Sequence, residues 1–350
     1  MEPVEGISRP RTMRPEKARE CMRVAVTGAS GFVGGAVVRD LAAHGHEVLA
    51  CSRRVPAELP GAARHLSWDV RDGPLDGRAH PGDVDAVVHC AAAVGDGGSR
   101  AAAWVVNVEG TRAVRTTFAK ARFVHVSSGS VYDPATPSVR VREDEGPTAD
   151  RGRRPFRYLN SYGATKAAAE HWLALDAAEP DHGPVVVLRP HAVYGPGDTT
   201  LLPRLEAALV AGRWLPLPGG GTTLHHLTHV ATLAAAVRAA LAADLSPEIA
   251  AGTPLVANVA DAEPVVLREI LELLMLARGR HVRVVPVPER AARRAAVVAE
   301  RLAKLAGTEP RLSRYALSHL AMERTYDLTV LRDRLGVDPP ATSILGAGFW

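Results

Sequence analysis

From Met22 onward the chain alternates short apolar, β-branched runs with longer stretches of helix formers. Val24 to Val26, Glu47 to Cys51, His65 to Trp68, Val84 to Cys90, Phe123 to Val126 and Val185 to Leu188 read as strands. Phe32 to His44, Ala101 to Lys120 and Tyr162 to Ala178 read as helices between them. The run Val185-Val186-Val187-Leu188 is apolar at every position rather than every second one, which is the pattern of a strand buried on both faces. Strands of that kind alternating with helices predict a parallel sheet covered by helices on each side.

The first strand runs into Thr27-Gly28-Ala29-Ser30-Gly31-Phe32-Val33-Gly34, with glycines three apart at the entrance to a helix. Such a turn lets backbone approach a pyrophosphate while the helix N-terminus supplies amide donors. Its place between the first strand and the first helix is the context of a dinucleotide site. At the end of the second strand an NAD site usually carries an acid for the ribose 2′-hydroxyl, but this sequence reads Cys51-Ser52-Arg53-Arg54. Guanidinium forks bind a 2′-phosphate that an acid would repel, so NADP(H) is expected; NAD(H) beside two solvated arginines is the alternative. Asp69, followed by Val70, comes after the third strand, where a carboxylate can accept from an adenine amino group or cap a turn. Ala91, Ala92 and Ala93 keep side chains small where a flat cofactor passes, or simply pack. Asn107, inside the next helix, either links backbone or water toward the site or is an ordinary helix asparagine.

The stretch Ser161-Tyr162-Gly163-Ala164-Thr165-Lys166 puts a phenol and an ammonium four residues apart on one helical face. A nearby cation favours phenolate and lowers a tyrosine pKa from about 10 toward working pH. That spacing is common in helices and by itself proves nothing. The fifth strand ends in Val126-Ser127-Ser128-Gly129-Ser130-Val131-Tyr132, which brings hydroxyls to the end of a parallel strand where ligands of such sheets bind.

At 350 residues the chain is long enough for one large α/β unit with an appended lobe, or for two domains. Hydrophobic residues make up 47% and aromatics only 5%, so the core is expected to be mostly Ala, Val and Leu. A net charge of +4, with basic and acidic residues interspersed, does not call for nucleic acid. Cys21, Cys51 and Cys90 are too few and too scattered for a disulfide framework, which fits a reducing cytoplasm. No apolar run reaches the ~18 residues of a membrane span, and residues 1–21, rich in charge and Pro, are expected to be a disordered tail rather than a signal peptide.

The motifs TGASGFVG, VSSGSVY, YGATK and LRPHAVYGPGD, in that order between Met22 and about Asp198, resemble the extended short-chain dehydrogenase/reductase superfamily. Asn258-Val259-Ala260-Asp261 and Thr325-Tyr326-Asp327 before Leu335-Gly336 agree, so the resemblance covers nearly the whole folded chain. It implies an α/β Rossmann fold, a doubly wound parallel sheet over 22–194 with 228–260 returning to it, and a smaller C-terminal substrate-binding lobe from 195–227 and 261–340. It makes Tyr162 the acid/base, Lys166 the group that binds the nicotinamide ribose and lowers the tyrosine pKa, and Ser128 the hydroxyl that orients the substrate oxygen, ahead of Ser127. Gly28, Gly31 and Gly34 would line the pyrophosphate, with Ser30, Phe32 and Val33 in the same cofactor set. Pro190 and Val193 would meet the nicotinamide, and Ser130 and Tyr194 the substrate. A homodimer acting on a small molecule is the usual form of the superfamily.

The run from Arg189 to Arg204 looks more like the 3β-hydroxysteroid-dehydrogenase-like branch than the sugar-nucleotide branch. The expected activity is NADP(H)-dependent interconversion of a secondary alcohol and a ketone on a small hydrophobic, steroid-like or β-keto acyl substrate. Two alternatives stand beside it: a sugar-nucleotide epimerase or dehydratase that retains NAD, and a dinucleotide-sensing protein without chemistry, against which the intact Ser, Tyr and Lys set speaks. The loop carrying Arg140, Arg142, Arg151, Arg153, Arg154 and Arg157 either grips an anionic substrate or is a solvated loop balanced by Glu143, Asp144 and Glu145. Where relatives commonly place an aspartate pair before a helix, this chain reads Leu224-His225-His226-Leu227-Thr228-His229-Val230. With no acid or cysteine beside these histidines a metal is not expected, and Thr228 is predicted to cap a helix starting at His229.

Overall fold

The computed structural model describes residues 21–95, 99–147, 157–306, 308 and 313–350; the 1–20 leader and Arg151, Arg153 and Arg154 lie outside the described residues. The chain begins β1 (Arg23–Thr27), α1 (Phe32–Ala43), β2 (Glu47–Ser52), β3 (Ala63–Ser67), β4 (Ala86–His89), α2 (Arg100–Trp104), α3 (Gly110–Thr117), β5 (Arg122–Val126) and β6 (Ser138–Val141). It continues through α4 (Ser161–Asp176), β7 (Val185–Pro190), β8 (Val193–Tyr194), α5 (Leu201–Ala208), β9 (Trp214–Pro218), β10 (Leu224–His225), β11 (Thr228–His229), α6 (Val230–Ala242), α7 (Ser246–Ala251) and β12 (Leu255–Val259). It ends with β13 (Val265–Val266), α8 (Leu267–Ala277), β14 (Arg283–Val287), α9 (Glu289–Ala306), α10 (Arg314–Ala321), β15 (Arg324–Tyr326) and α11 (Thr329–Asp333).

Seven strands form the expected doubly wound parallel sheet in the order β12-β7-β5-β4-β1-β2-β3. Val24 of β1 pairs with Val48 of β2 on one side and Ala86 of β4 on the other. Strand order reverses across β1 and β4, so their carboxyl ends open the crevice where ligands of such sheets bind. Val24, Val26, Val87, Val88, Val186 and Val187 have no exposed surface, as their unbroken apolar runs require. One face packs on α1 and α6 through Val37, Leu41, Leu233 and Val237. The other packs on α3 and α4 through Val114, Phe118 and Leu173. Burying each such Val or Leu contributes roughly 1.5–3 kcal/mol.

Two local features go beyond the sequence pattern. The single helix expected over Ala101 to Lys120 is broken: a π-helical turn, Val105–Glu109, separates α2 from α3, and the helix stops before Phe118. A Cβ on Gly110 would come within 2.7 Å of Val70 Cγ2, so this glycine permits close packing of the helix on the loop after β3. Strand β6 belongs to a four-stranded sheet of order β13-β10-β15-β6, which ties the chain after β5 to the C-terminal residues 324–326. A separate apolar cluster around Leu215, Leu217, Leu274 and Met275 holds β9, α8 and the C-terminal segment.

Candidate active site

The glycine turn after β1 is built for backbone to come close. Gly28 has φ +68°, and a Cβ there would sit 2.8 Å from the Ala91 amide nitrogen. A Cβ on Gly31 would sit 3.2 Å from the Gly28 carbonyl oxygen, and one on Gly34 would collide with that same carbonyl. Gly34 lies inside α1, where glycine costs about 1 kcal/mol against alanine; the close approach to Gly28 explains it. No side chain caps the N-terminus of α1. This bare cradle with free helical amides fits a dinucleotide pyrophosphate. Beneath it, His89 bonds Thr27 Oγ1 through Nδ1 at 2.7 Å and Thr111 Oγ1 through Nε2 at 3.0 Å, tying β1, β4 and α3. Burial pushes His89 down to about 3, and the charge of Lys166 pushes the same way, so the ring is neutral.

At the end of β2, Arg53 and Arg54 are exposed and, among the described residues, neither has an ion-pair partner. The Ser52 hydroxyl donates to the Arg54 carbonyl at 2.7 Å, which shapes that turn. Asp69 takes the turn-capping arrangement: it accepts from the Arg71 amide at 3.1 Å and pairs with the Arg71 guanidinium at 2.6 Å. Asn107 sits in the π turn with its side chain buried; it accepts from Ala93 N at 2.7 Å and donates to Thr165 Oγ1 at 2.9 Å. It therefore makes a backbone link between the Ala91–Ala93 segment and α4.

Helix α4 is capped by Asn160, whose side chain accepts from Gly163 N at 3.0 Å. A Cβ on Gly163 would come within 2.7 Å of Ser130 O, so glycine inside YGATK lets the helix lie against the serine loop. Lys166 is buried and donates through Nζ to the Val126 carbonyl at 2.7 Å, the last residue of β5. Burial pushes its ammonium down to about 8, against the opposing charges of Cys90 and Glu170. Burial raises the Tyr162 phenol above its ordinary value, while a hydrogen bond with Ser128 and the charge of Arg204 pull it down. The Lys166 ammonium, held on the Val126 carbonyl, is not among the groups that pull the phenol down here.

The two serines after β5 have different partners. Ser127 Oγ donates to Glu170 Oε1, inside a buried ion pair between Glu170 and Arg189. Ser128 lies beside Tyr162 and donates to Ser130 Oγ at 3.0 Å, and Ser130 Oγ meets the Tyr315 hydroxyl at 2.6 Å. Tyr315 lies on α10, far along the chain, and the sequence carries no signal for it. Around it His319 stacks on His191 with ring centroids 5.4 Å apart, and the Tyr326 hydroxyl meets His191 Nδ1 at 3.1 Å. Burial pushes His319 down to about 3 and His191 well below its usual range, so this wall is neutral and aromatic.

Other candidates fall elsewhere. Pro190 is buried at the end of β7 and Val193 is half-buried at β8, flanking the same crevice. Tyr194, expected on the substrate side, has no exposed surface; its hydroxyl donates to Asp261 at 2.7 Å and accepts from Ser343 N, so it fastens the C-terminal segment. Thr228 does not cap α6: its hydroxyl donates to the Val259 carbonyl at 2.7 Å and accepts from His191 N at 3.0 Å, and His229 is the cap, accepting from Ala231 N at 3.2 Å. The three histidines diverge, His225 toward Thr223 and His226 toward the Tyr326 amide. Among the described residues no group of three or more His, Cys, Asp or Glu could hold a metal ion. In the arginine-rich loop, Arg142 pairs with Asp144 at 3.5 Å in solvent and Arg157 is exposed. Glu143 instead turns inward and accepts from Asn258 N at 2.8 Å.

A family model described as the NAD dependent epimerase/dehydratase family matches residues 24–251. The 2-alkyl-3-oxoalkanoate reductase of Stenotrophomonas maltophilia (strain K279a) is 32% identical over 326 residues, covering 91% of this chain and 95% of that protein. The 3-beta-hydroxysteroid dehydrogenase of Mycolicibacterium neoaurum is 29% identical, covering 92% of this chain and 88% of that protein. Among solved structures, a UDP-glucuronic acid 4-epimerase from Bacillus cereus in complex with NAD superposes with a TM-score of 0.67 over 94% of this chain and 96% of that one; at 21% identity it shows the fold.

Proposed function

The chain belongs to the NAD dependent epimerase/dehydratase family, within the extended short-chain dehydrogenase/reductase superfamily, and from that premise we propose that this NAD(P)-dependent oxidoreductase uses NADP(H) to interconvert a secondary alcohol and a ketone. The observation that carries the proposal is the placing of Tyr162, at the start of α4, beside Ser128 at the end of β5, with Lys166 one turn further along α4. Bound NADP(H) supplies or accepts the hydride. The glycine turn would hold its pyrophosphate, and Arg53 and Arg54 its 2′-phosphate. In reduction Ser128 donates to the substrate oxygen and Tyr162 delivers the proton; in oxidation Tyr162 takes it. Lys166 has three donors, of which Val126 takes one, leaving the others for a ribose hydroxyl. The neutral wall of His191 and His319 supports a carbon-rich substrate, as do relatives named for an alkyl oxoalkanoate and a steroid, and the Arg204 charge that acts on Tyr162 and His319 would suit an acidic group on it. A screen of NADPH consumption against ketones, sterols, β-keto acyl compounds and nucleotide sugars tests the reading. Net NADPH oxidation with a keto compound is expected; conversion of a nucleotide sugar with no net cofactor change would overturn it.

A further inference from the structure

Helix α9 is amphipathic in the wrong sense for a helix of a closed monomer. It packs on α10 through small residues, Ala292 and Ala296 against Leu317, with Ala303 also buried. Its larger apolar side chains face outward: Val298 is 54% exposed, Leu302 61% and Leu305 85%. With exposed Ala291 and Ala295 they recur at alternating four- and three-residue steps, a continuous stripe along the helix. Arg294, Arg301 and Arg290 run along one edge of that stripe, all exposed. The acids of the helix are engaged elsewhere, Glu289 with Arg293 at 2.6 Å and Glu300 with Arg314 at 2.8 Å. Among the described residues Arg290, Arg294 and Arg301 have no ion-pair partner.

We propose that α9 docks the protein on an anionic lipid surface, with Val298, Leu302 and Leu305 entering the acyl boundary and Arg290, Arg294 and Arg301 meeting the headgroups. A basic helix with an exposed apolar face is the form of an interfacial helix, and burial of that face adds to the attraction of its cations. No helix among the described residues is long and apolar enough to cross a membrane, so the contact is with the surface. Charge decides against a second copy of the chain as the occupant. Two α9 stripes laid together would bring unpaired arginines against each other, and among the described residues α9 has no free acid to answer them. The other face of α9 packs on α10, the helix that carries Tyr315 to Ser130.

The full chain is sedimented with vesicles of phosphatidylglycerol and phosphatidylcholine, and with vesicles of phosphatidylcholine alone, while light scattering follows its mass in solution. Binding to the anionic vesicles only is expected, weakened by added salt. Replacing Arg290, Arg294 and Arg301 together by Gln should lower the partition coefficient roughly a hundred-fold, from about five-fold per charge. Leu302→Glu should abolish sedimentation while its thermal unfolding matches that of the parent protein. No binding to anionic vesicles, equal binding to both kinds, or a dimer that Leu302→Glu dissociates would overturn the proposal. None of these readouts uses turnover, so they stand apart from the proposed oxidoreductase chemistry.

Discussion

Arg189 and Glu170 form an ion pair of 2.6 Å in which neither side chain reaches solvent. Glu170 stands one turn beyond Lys166 on α4 and also accepts the Ser127 hydroxyl, while Arg189 continues to the Tyr132 hydroxyl at 3.0 Å and the Glu143 carbonyl at 2.9 Å. The pair thus fastens the helix of Tyr162 to β7 and to the residue before Ser128. Glu170→Ala would leave a guanidinium buried without its counter-charge, which costs about 3–5 kcal/mol. Urea unfolding should show a fall of that size; a loss below about 1 kcal/mol would mean the arginine is relieved by water.

Tyr162→Phe removes the proposed proton donor and leaves the ring packing in place. Turnover should drop by about 10²–10⁴-fold while NADPH titration is unchanged. A donor must be protonated, and burial raises this phenol, so reduction should persist through neutral pH; oxidation, which needs the phenolate, should gain as pH rises. Reduction that declines steadily from pH 6 to about 8 would assign the proton to another group.

Among the described residues Arg53 and Arg54 form no ion pair, which leaves their charge for a ligand. Each charge-assisted contact to a phosphate contributes about 1.5–3 kcal/mol, so replacing both by Ser should weaken NADPH binding by at least about ten-fold. NADH binding should stay the same, because the 2′-hydroxyl offers no charge to these groups. Equal loss for both cofactors, or NADH binding as tightly as NADPH to the parent protein, would refute the assignment.

What the sequence disclosed follows the range of the interactions. The glycine turn and Tyr162-x-x-x-Lys166 are local, since each is set by residues within one turn or one helix, and the apolar runs mark the buried strands directly. Residues placed by distant pairing were silent. Tyr315 meets Ser130 across the fold, and β6 is a strand because it finds Arg324–Tyr326. The position of the Lys166 ammonium was silent for the same reason: helical spacing fixes where the side chain starts, but the Val126 carbonyl on another element decides where it ends. Thr228 looked like a cap because its residue type suits one; the neighbouring Val259 carbonyl took its hydroxyl instead.

The hydroxyl of Tyr315 meets Ser130 Oγ at 2.6 Å, and Ser130 Oγ accepts from Ser128 at 3.0 Å, beside Tyr162. Tyr315→Phe keeps the contact of its ring with His319 and removes the hydroxyl that meets Ser130. Ser128 would then be less firmly oriented, and kcat should fall by about ten-fold, the worth of one hydrogen bond of about 1–1.5 kcal/mol, with stability little changed. A rise in KM alone would make Tyr315 a substrate contact without influence on Ser128.

Lys166 leaves a mark on stability that does not depend on turnover. Its ammonium titrates at about 8 in the fold but at 10.5 in the open chain. Between these values the unfolded chain holds a proton that the folded one has released, so folding becomes more favourable as pH rises through that window. Below about 8 the fold carries the penalty of a buried charge in full, roughly 2–4 kcal/mol. Lys166→Met has no such group. Measured by urea unfolding at pH 7 and again near pH 10, the parent protein should gain roughly 2–3 kcal/mol on the variant over that interval. A difference that stays constant, or moves the other way, would place the Lys166 pKa at or above its ordinary value and remove burial as the force acting on it.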